Sequence, residues 1–124
     1  MLRLVLLSLI LITSGCTNKS AMQPAELAES IKSNTAPLIL DVRTPEEYAA
    51  GHVPGAILIP HDQVESRIAE LGEPRPVVVY CKSGRRASLA ETILEKHGFS
   101  VKVLDGSWQA WQAAKLPEEY LVKR

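Results

Sequence analysis

The sequence predicts a single three-layer α/β domain: a mostly parallel central sheet of four or five strands with helices on both faces. Three observations predict it. The runs Leu38-Ile39-Leu40-Asp41-Val42 and Val77-Val78-Val79-Tyr80 are almost continuously apolar and rich in branched side chains, the pattern of strands buried on both sides. Segments with helical spacing and helix caps lie between such runs, so strands and helices alternate along the chain. Finally, 124 residues at 46% hydrophobic content are enough for one core of ordinary size and too few for two.

Met1 to Ile12 has one cation, Arg3, ahead of an apolar run from Leu4 to Ile12 broken only by Ser8. The run falls short of the ~20 residues a membrane-spanning helix needs and has the proportions of a signal-peptide core. Ile12-Thr13-Ser14-Gly15-Cys16 follows and resembles a bacterial lipobox, in which Cys16 would become the lipidated mature N-terminus. The expected organisation is a signal peptide over 1–16, a short polar tether over 17–22 ending in a brief edge strand, and the domain over 23–124. The expected address is outside the cytoplasm, in the periplasm or held at a membrane through the lipid anchor alone.

Pro24 suits a first helical turn, and Leu27, Ala28 and Ile31 give that helix its apolar stripe down to Ser33. After the Leu38 to Val42 strand, Thr44 caps a short helix, with Pro45 in its first position and Glu47 completing a capping box; Gly51 stops it. Gly51 to Ala56 is rich in turn residues, and Ala56 to Ile59 reads as a third strand. Asp62 with Glu65 has the form of another capping box, and Val64, Ile68 and Leu71 share one helical face, predicting a helix before the loop at Gly72 to Pro76. Beyond the Val77 to Tyr80 strand, a helix-period segment runs from Ala87 to His97 and ends at Gly98. Val101 to Leu104 is a further strand, and Ser107 to Ala114 a short helix carrying Trp108 and Trp111 as core anchors. The tail from Pro117 has Tyr120 and Leu121 available to pack back on the domain.

Lys+Arg and Asp+Glu are equal at 14 each, which argues against a nucleic-acid partner. Of the two cysteines, Cys16 lies in the targeting segment and Cys81 in a loop, so no structural disulfide is expected. His52 is expected to fix its turn by hydrogen bonding, and His61 and His97 to lie at helix ends; with no clustered histidines, no metal site is expected.

Chemistry concentrates in Cys81-Lys82-Ser83-Gly84-Arg85-Arg86. Cys81 falls where a strand ends and a helix begins, the carboxyl edge at which α/β sheets bind ligands and helix N–H groups face anions. Gly84 allows the loop to curl its amides around the sulfur as a nest. Lys82, Arg85 and Arg86 add three positive charges. Each effect favours negative charge on the sulfur, the state that attacks.

Three stretches together are similar to a known family. Leu40 to Tyr48 with Gly51 to Ala56 resembles the first signature of rhodanese domains, Val79 to Ala87 their active loop, and Leu104 to Trp111 their closing segment. The resemblance runs in order from about Pro24 to Trp111. It implies that Cys81 carries a persulfide, taking a sulfane sulfur from a small donor such as thiosulfate and passing it to cyanide or a thiol, with no cofactor and with the protein a monomer. It implies that Lys82, Ser83, Gly84, Arg85 and Arg86 hold the donor, Arg86 clamping the loop or contacting the anion, and that Asp41 and Arg43 brace the loop. Ser107 departs from the pattern, standing where the family often has a second glycine.

Two other functions compete. Phosphatases and arsenate reductases also use a cysteine in a basic loop, but they resemble this chain less: their arginine lies six positions after the cysteine, where this chain has Ala87, while Arg86 is at five. That smaller ring suits a sulfur atom better than a tetrahedral oxyanion. A rhodanese-like module that carries a persulfide or binds a partner is the other; modules that only bind a partner commonly lack the cysteine that this chain keeps.

Overall fold

The computed structural model describes residues 21–121; the expected signal core, the lipobox-like segment with Cys16, and the first part of the tether lie outside them. Five strands, β1 (Ala21–Met22), β2 (Leu38–Asp41), β3 (Ile57–Leu58), β4 (Pro76–Tyr80) and β5 (Ser100–Leu104), form one sheet. The order is β1-β5-β4-β2-β3 and every pairing is parallel. The helices are α1 (Pro24–Lys32), α2 (Pro45–Ala50), α3 (Arg85–Lys96) and α4 (Ser107–Ala113). The end of the tether is the expected edge strand, and Met22 within it is buried.

The apolar strand runs are explained by two cores. On β4, Val77 and Val79 enter one core, followed by Cys81 just past the strand, with Ala87, Ala90 and Leu94 of α3. Val78 and Tyr80 enter the other, with Leu27 of α1 and Trp108 and Trp111 of α4. A strand covered on both faces has no solvent side on which to place polar residues, so the alternation disappears from its sequence. Each fully buried Val or Leu here contributes about 1.5–3 kcal/mol.

The expected helix over Asp62 to Leu71 does not form. Two 3-10 turns stand in its place, His61–Gln63 and Ile68–Leu71. Arg67, at φ −112° and ψ 13°, departs from helical geometry between them, and Glu65 Oε1 lies 3.0 Å from Nε2 of His97, just past the end of α3, rather than closing a capping box. Val64 and Leu71 are buried all the same, so the apolar spacing reports a face that packs without a continuous helix. The third strand is shorter than expected. Tyr120 and Leu121 keep much of their surface exposed; His52 and Glu119 exchange both N–H···O bonds, Leu121 N–H donates to the Ala49 carbonyl, and Glu119 Oε2 lies 3.6 Å from His52 Nε2.

Because the sheet is all parallel, β2, β4 and β5 end on the same edge. The segments leaving them are Val42 to Thr44, the Cys81 loop, and Asp105 to Trp108, and these three meet.

Candidate active site

The cysteine loop is short. Helix α3 begins at Arg85, so Arg85 and Arg86 belong to its first turn and the loop proper is Cys81 to Gly84. Gly84 sits at φ +123° and ψ −21°, a conformation open to glycine and strained for side-chain-bearing residues. An added Cβ would meet nothing within 4 Å, so the backbone angle and not space requires glycine. That angle aims the Gly84 N–H at Cys81 Sγ, 3.0 Å away. The sulfur is a free thiol on a residue only 1% exposed.

The loop rests on the amino end of α4. Trp108 N–H donates to the Cys81 carbonyl at 2.9 Å and Gln109 N–H to the Lys82 carbonyl at 3.1 Å, so two amides that a helix start leaves unpaired fix the loop from below. The Cys81 N–H donates to Ser107 Oγ at 3.3 Å. Both backbone polar groups of the cysteine are thereby satisfied, and the side chain is left to face the loop.

Asp41 and Arg43 form a buried pair beside this floor. Arg43 Nη2 lies 2.6 Å from Asp41 Oδ2, and Nε donates to both carboxylate oxygens. Arg43 Nη2 also donates to the Gly51 carbonyl at 2.7 Å. Its guanidinium lies 4.6 Å from the Trp108 ring centroid and 5.5 Å from that of Tyr80. The Tyr80 hydroxyl donates to Asp41 at 2.7 Å and accepts from Val53 N–H at 3.1 Å. Burial works against the Arg43 charge, but hydrogen bonding and attraction from Asp41 outweigh it and raise the guanidinium's pKa. Burial, with the charge of Asp41, holds the Tyr80 hydroxyl well above the usual phenol range, so it stays a neutral donor. Losing one partner of such a pair costs about 3–5 kcal/mol because the other charge stays buried. The Arg43 contact with Trp108 places the pair against the first turn of α4, on which the loop rests.

Arg86 is tied to α2. Its Nη1 donates to Glu47 Oε1 at 2.8 Å and its Nη2 to Oε2 at 3.2 Å. Glu47 also completes the capping box of α2 with Thr44. The hydrogen bond from Arg86 is the main reason its carboxyl is held down at about 2. Lys82, Ser83 and Arg85 are exposed, and neither Lys82 nor Arg85 has an ion pair among the described residues. A polar crevice of about 410 Å³ opens beside the loop, lined in part by Ser83, Gly84, Arg85, Ser88, Glu91 and Asp105. A cavity of about 480 Å³ against Leu38, Pro76 and Ser100 lies at the opposite ends of the strands, away from the sulfur.

The structure thus gathers Cys81, its loop, Asp41 and Arg43 at one edge; Cys16 is outside the described residues. Sequence reasoning did not assign Glu47, Tyr80, Ser107 or Trp108 to the site. Glu47 was legible as a cap, and the excess of cations in the first turn of α3 was the one available sign that an acid elsewhere must face them. His52 does fix its turn, with Nδ1 2.8 Å from the Tyr48 carbonyl and its ring stacked on Tyr48.

Cys81 is thus buried at the carboxyl edge of an all-parallel α/β sheet, with one backbone N–H donated to its sulfur. Residues 23–114 match the family model described as a rhodanese-like domain, and the chain belongs to that family. It is 35% identical over 92 residues to a sulfurtransferase of Allochromatium vinosum, covering 73% of this chain and 86% of that protein. It is 40% identical over 101 residues to an HTH-type transcriptional regulator of Mycobacterium tuberculosis, covering 80% of this chain but 44% of the regulator, so it spans less than half of that relative. Among solved structures, a rhodanese-related protein of Thermoplasma volcanium superposes with a TM-score of 0.73 at 28% identity, over 82% of this chain and 98% of that one.

Proposed function

We propose that this chain is a sulfurtransferase that moves a sulfane sulfur from thiosulfate, or a similar donor, to cyanide or a thiol through a persulfide on Cys81. The observation that carries the reading is the Gly84 N–H fixed 3.0 Å from Cys81 Sγ. In the first step the Cys81 thiolate attacks the outer sulfur of thiosulfate. A new S–S bond forms on Cys81, the donor's own S–S bond breaks, and sulfite leaves with the electron pair. The negative charge then resides on the outer sulfur of the persulfide, beside a loop whose Gly84 N–H already points to the Cys81 sulfur. In the second step the acceptor attacks that outer sulfur, and the electron pair of the breaking bond returns to Sγ. Lys82 and Arg85 draw the anionic donor to the loop, and Asp41 and Arg43 keep the floor beneath it rigid.

Mass spectrometry of the purified domain after thiosulfate treatment tests this reading. One added sulfur atom on Cys81, removed by cyanide with release of thiocyanate, is the expected result. A Cys81 that stays unmodified would overturn it and leave the partner-binding module. From the sequence we further infer export and lipidation at Cys16, with the domain acting as a monomer outside the cytoplasm. Incorporation of a labelled fatty acid is expected, and an unlabelled full-length cytoplasmic product would refute that address.

A further inference from the structure

We infer that Glu47 is a positioning residue for the Cys81 loop: it holds Arg86 as the loop's clamp and removes that cation from the anion-binding set, leaving Lys82 and Arg85 to meet an anionic substrate. The inference rests on the sulfurtransferase reading for the identity of the substrate, and on geometry alone for the clamp.

One carboxylate performs two tasks. Glu47 Oε1 accepts from Thr44 N–H and Thr44 Oγ1, both at 3.2 Å, and from Arg86 Nη1 at 2.8 Å. Oε2 accepts from Arg86 Nη2 at 3.2 Å. The contact is bidentate, which fixes the plane of the guanidinium as well as its distance. Glu47 lies in the first turn of α2, shortly after β2 ends, and Arg86 in the first turn of α3, just after the loop from β4. The pair therefore ties two strand ends together at the point where the loop turns into helix. Gly84 is two residues before Arg86, so a shift of that first turn moves the N–H aimed at the sulfur.

The charges of α3 give an independent reason for the pairing. Its first turn contains Arg85 and Arg86 and no acidic residue, although cations at the positive end of a helix are unfavourable. Glu47 supplies the missing negative charge from another helix. Its side chain and that of Arg86 are 28% and 26% exposed, so the pair is shielded in part from water, whereas Lys82 and Arg85 are open to it. For Arg86 to bind a substrate anion it would first have to leave a bidentate carboxylate. Among the described residues, neither Lys82 nor Arg85 is held by a carboxylate in this way.

A double-mutant cycle with Glu47→Gln, Arg86→Gln and the pair, and with Thr44→Ala as a control that loses cap bonds but keeps the clamp, tests the inference. Two readouts are needed: kcat and KM for thiosulfate, and the rate of Cys81 alkylation by iodoacetamide, which does not depend on sulfur transfer. The clamp predicts that either single change lowers kcat about tenfold with little change in KM. It predicts that the double variant is no worse than the poorer single one, and that Thr44→Ala stays near the parent. Alkylation should change by the same factor in both single variants and in the double. Should Arg86→Gln fail to fold, Arg86→Lys, which keeps the charge but loses the bidentate fork, takes its place in the cycle. Opposite shifts in KM, up for Arg86→Gln and down for Glu47→Gln, would show that Arg86 binds the donor and overturn the inference, as would additive losses. If the parent does not turn over thiosulfate, the sulfurtransferase reading fails while the alkylation cycle still decides the clamp.

Discussion

Ser107 Oγ accepts a hydrogen bond from the backbone N–H of Cys81 at 3.3 Å, both residues being buried. Ser107 also has φ +52°, a left-handed conformation that costs an ordinary L-residue about 1–2 kcal/mol. At this position the chain accepts strain and has a hydroxyl that satisfies the cysteine's amide. Ser107→Ala should keep the strain and leave that amide unpaired, lowering stability by about 1–3 kcal/mol. Ser107→Gly should lower it less, because the strain is relieved at the same time. Urea midpoints of the two variants and the parent check this: an Ala variant as stable as the parent would show that the hydroxyl does not act through the amide, and Gly falling below Ala would show that no strain is relieved there.

Cys81→Ser should abolish formation of thiocyanate from thiosulfate and cyanide without unfolding the domain. A serine oxygen can still accept from Gly84 N–H, and the volume lost is small, so the substitution neither empties the core nor orphans the loop. Activity and the thermal midpoint should be measured on one preparation. Substantial remaining turnover would mean that another group carries the sulfur, and a collapse of the midpoint would mean that the thiol is chiefly a packing element.

Much of this was legible because it is local. The strand runs, the Thr44–Glu47 capping box and the Gly84 turn are all fixed by neighbouring residues, and each formed. The second task of Glu47 was not legible, because Arg86 lies 39 residues away, and nothing in a capping box says which oxygen it leaves free. The same distance in sequence hid the Tyr80 to Asp41 contact. The expected helix after Asp62 failed for a related reason: its apolar spacing was genuine, but Glu65 meets His97, 32 residues away, instead of closing a cap. Continuous apolar strands likewise show that both faces are covered without showing which helix covers which.

Stability should depend on acid through Glu47. Its carboxyl lies at about 2, against an ordinary value of 4.5, so the folded state holds its proton less tightly than the unfolded chain does. Its contribution is fully present above pH ~4.5 and is lost as pH falls toward 2. Because the pair is about a quarter exposed, screening limits that contribution to on the order of 1–2 kcal/mol. The stability gap between the parent and Glu47→Gln should therefore be constant near neutral pH and close between pH ~4.5 and 2. Urea midpoints across that range test it, and a gap that persists at pH 2 would assign the difference to the shape of the side chain rather than its charge.

The charge at the mouth of the loop should select the donor. Thiosulfate is a compact dianion, whereas 3-mercaptopyruvate is a monoanion whose carboxylate lies away from the sulfur it transfers, so positive charge close to Cys81 helps thiosulfate more. With Arg86 engaged by Glu47, that charge comes from Lys82 and Arg85, both exposed. Exposed charges are screened over ~8 Å at physiological salt, which makes their effect one of encounter and leaves a signature in ionic strength. Lys82→Glu combined with Arg85→Glu should lower kcat/KM for thiosulfate by about tenfold or more at low salt, lower that for mercaptopyruvate less, and flatten the salt dependence. Both donors should be compared in parent and variant across an ionic-strength series. Equal losses for the two donors, or parental rates indifferent to salt, would show that the loop's charge does not choose between them.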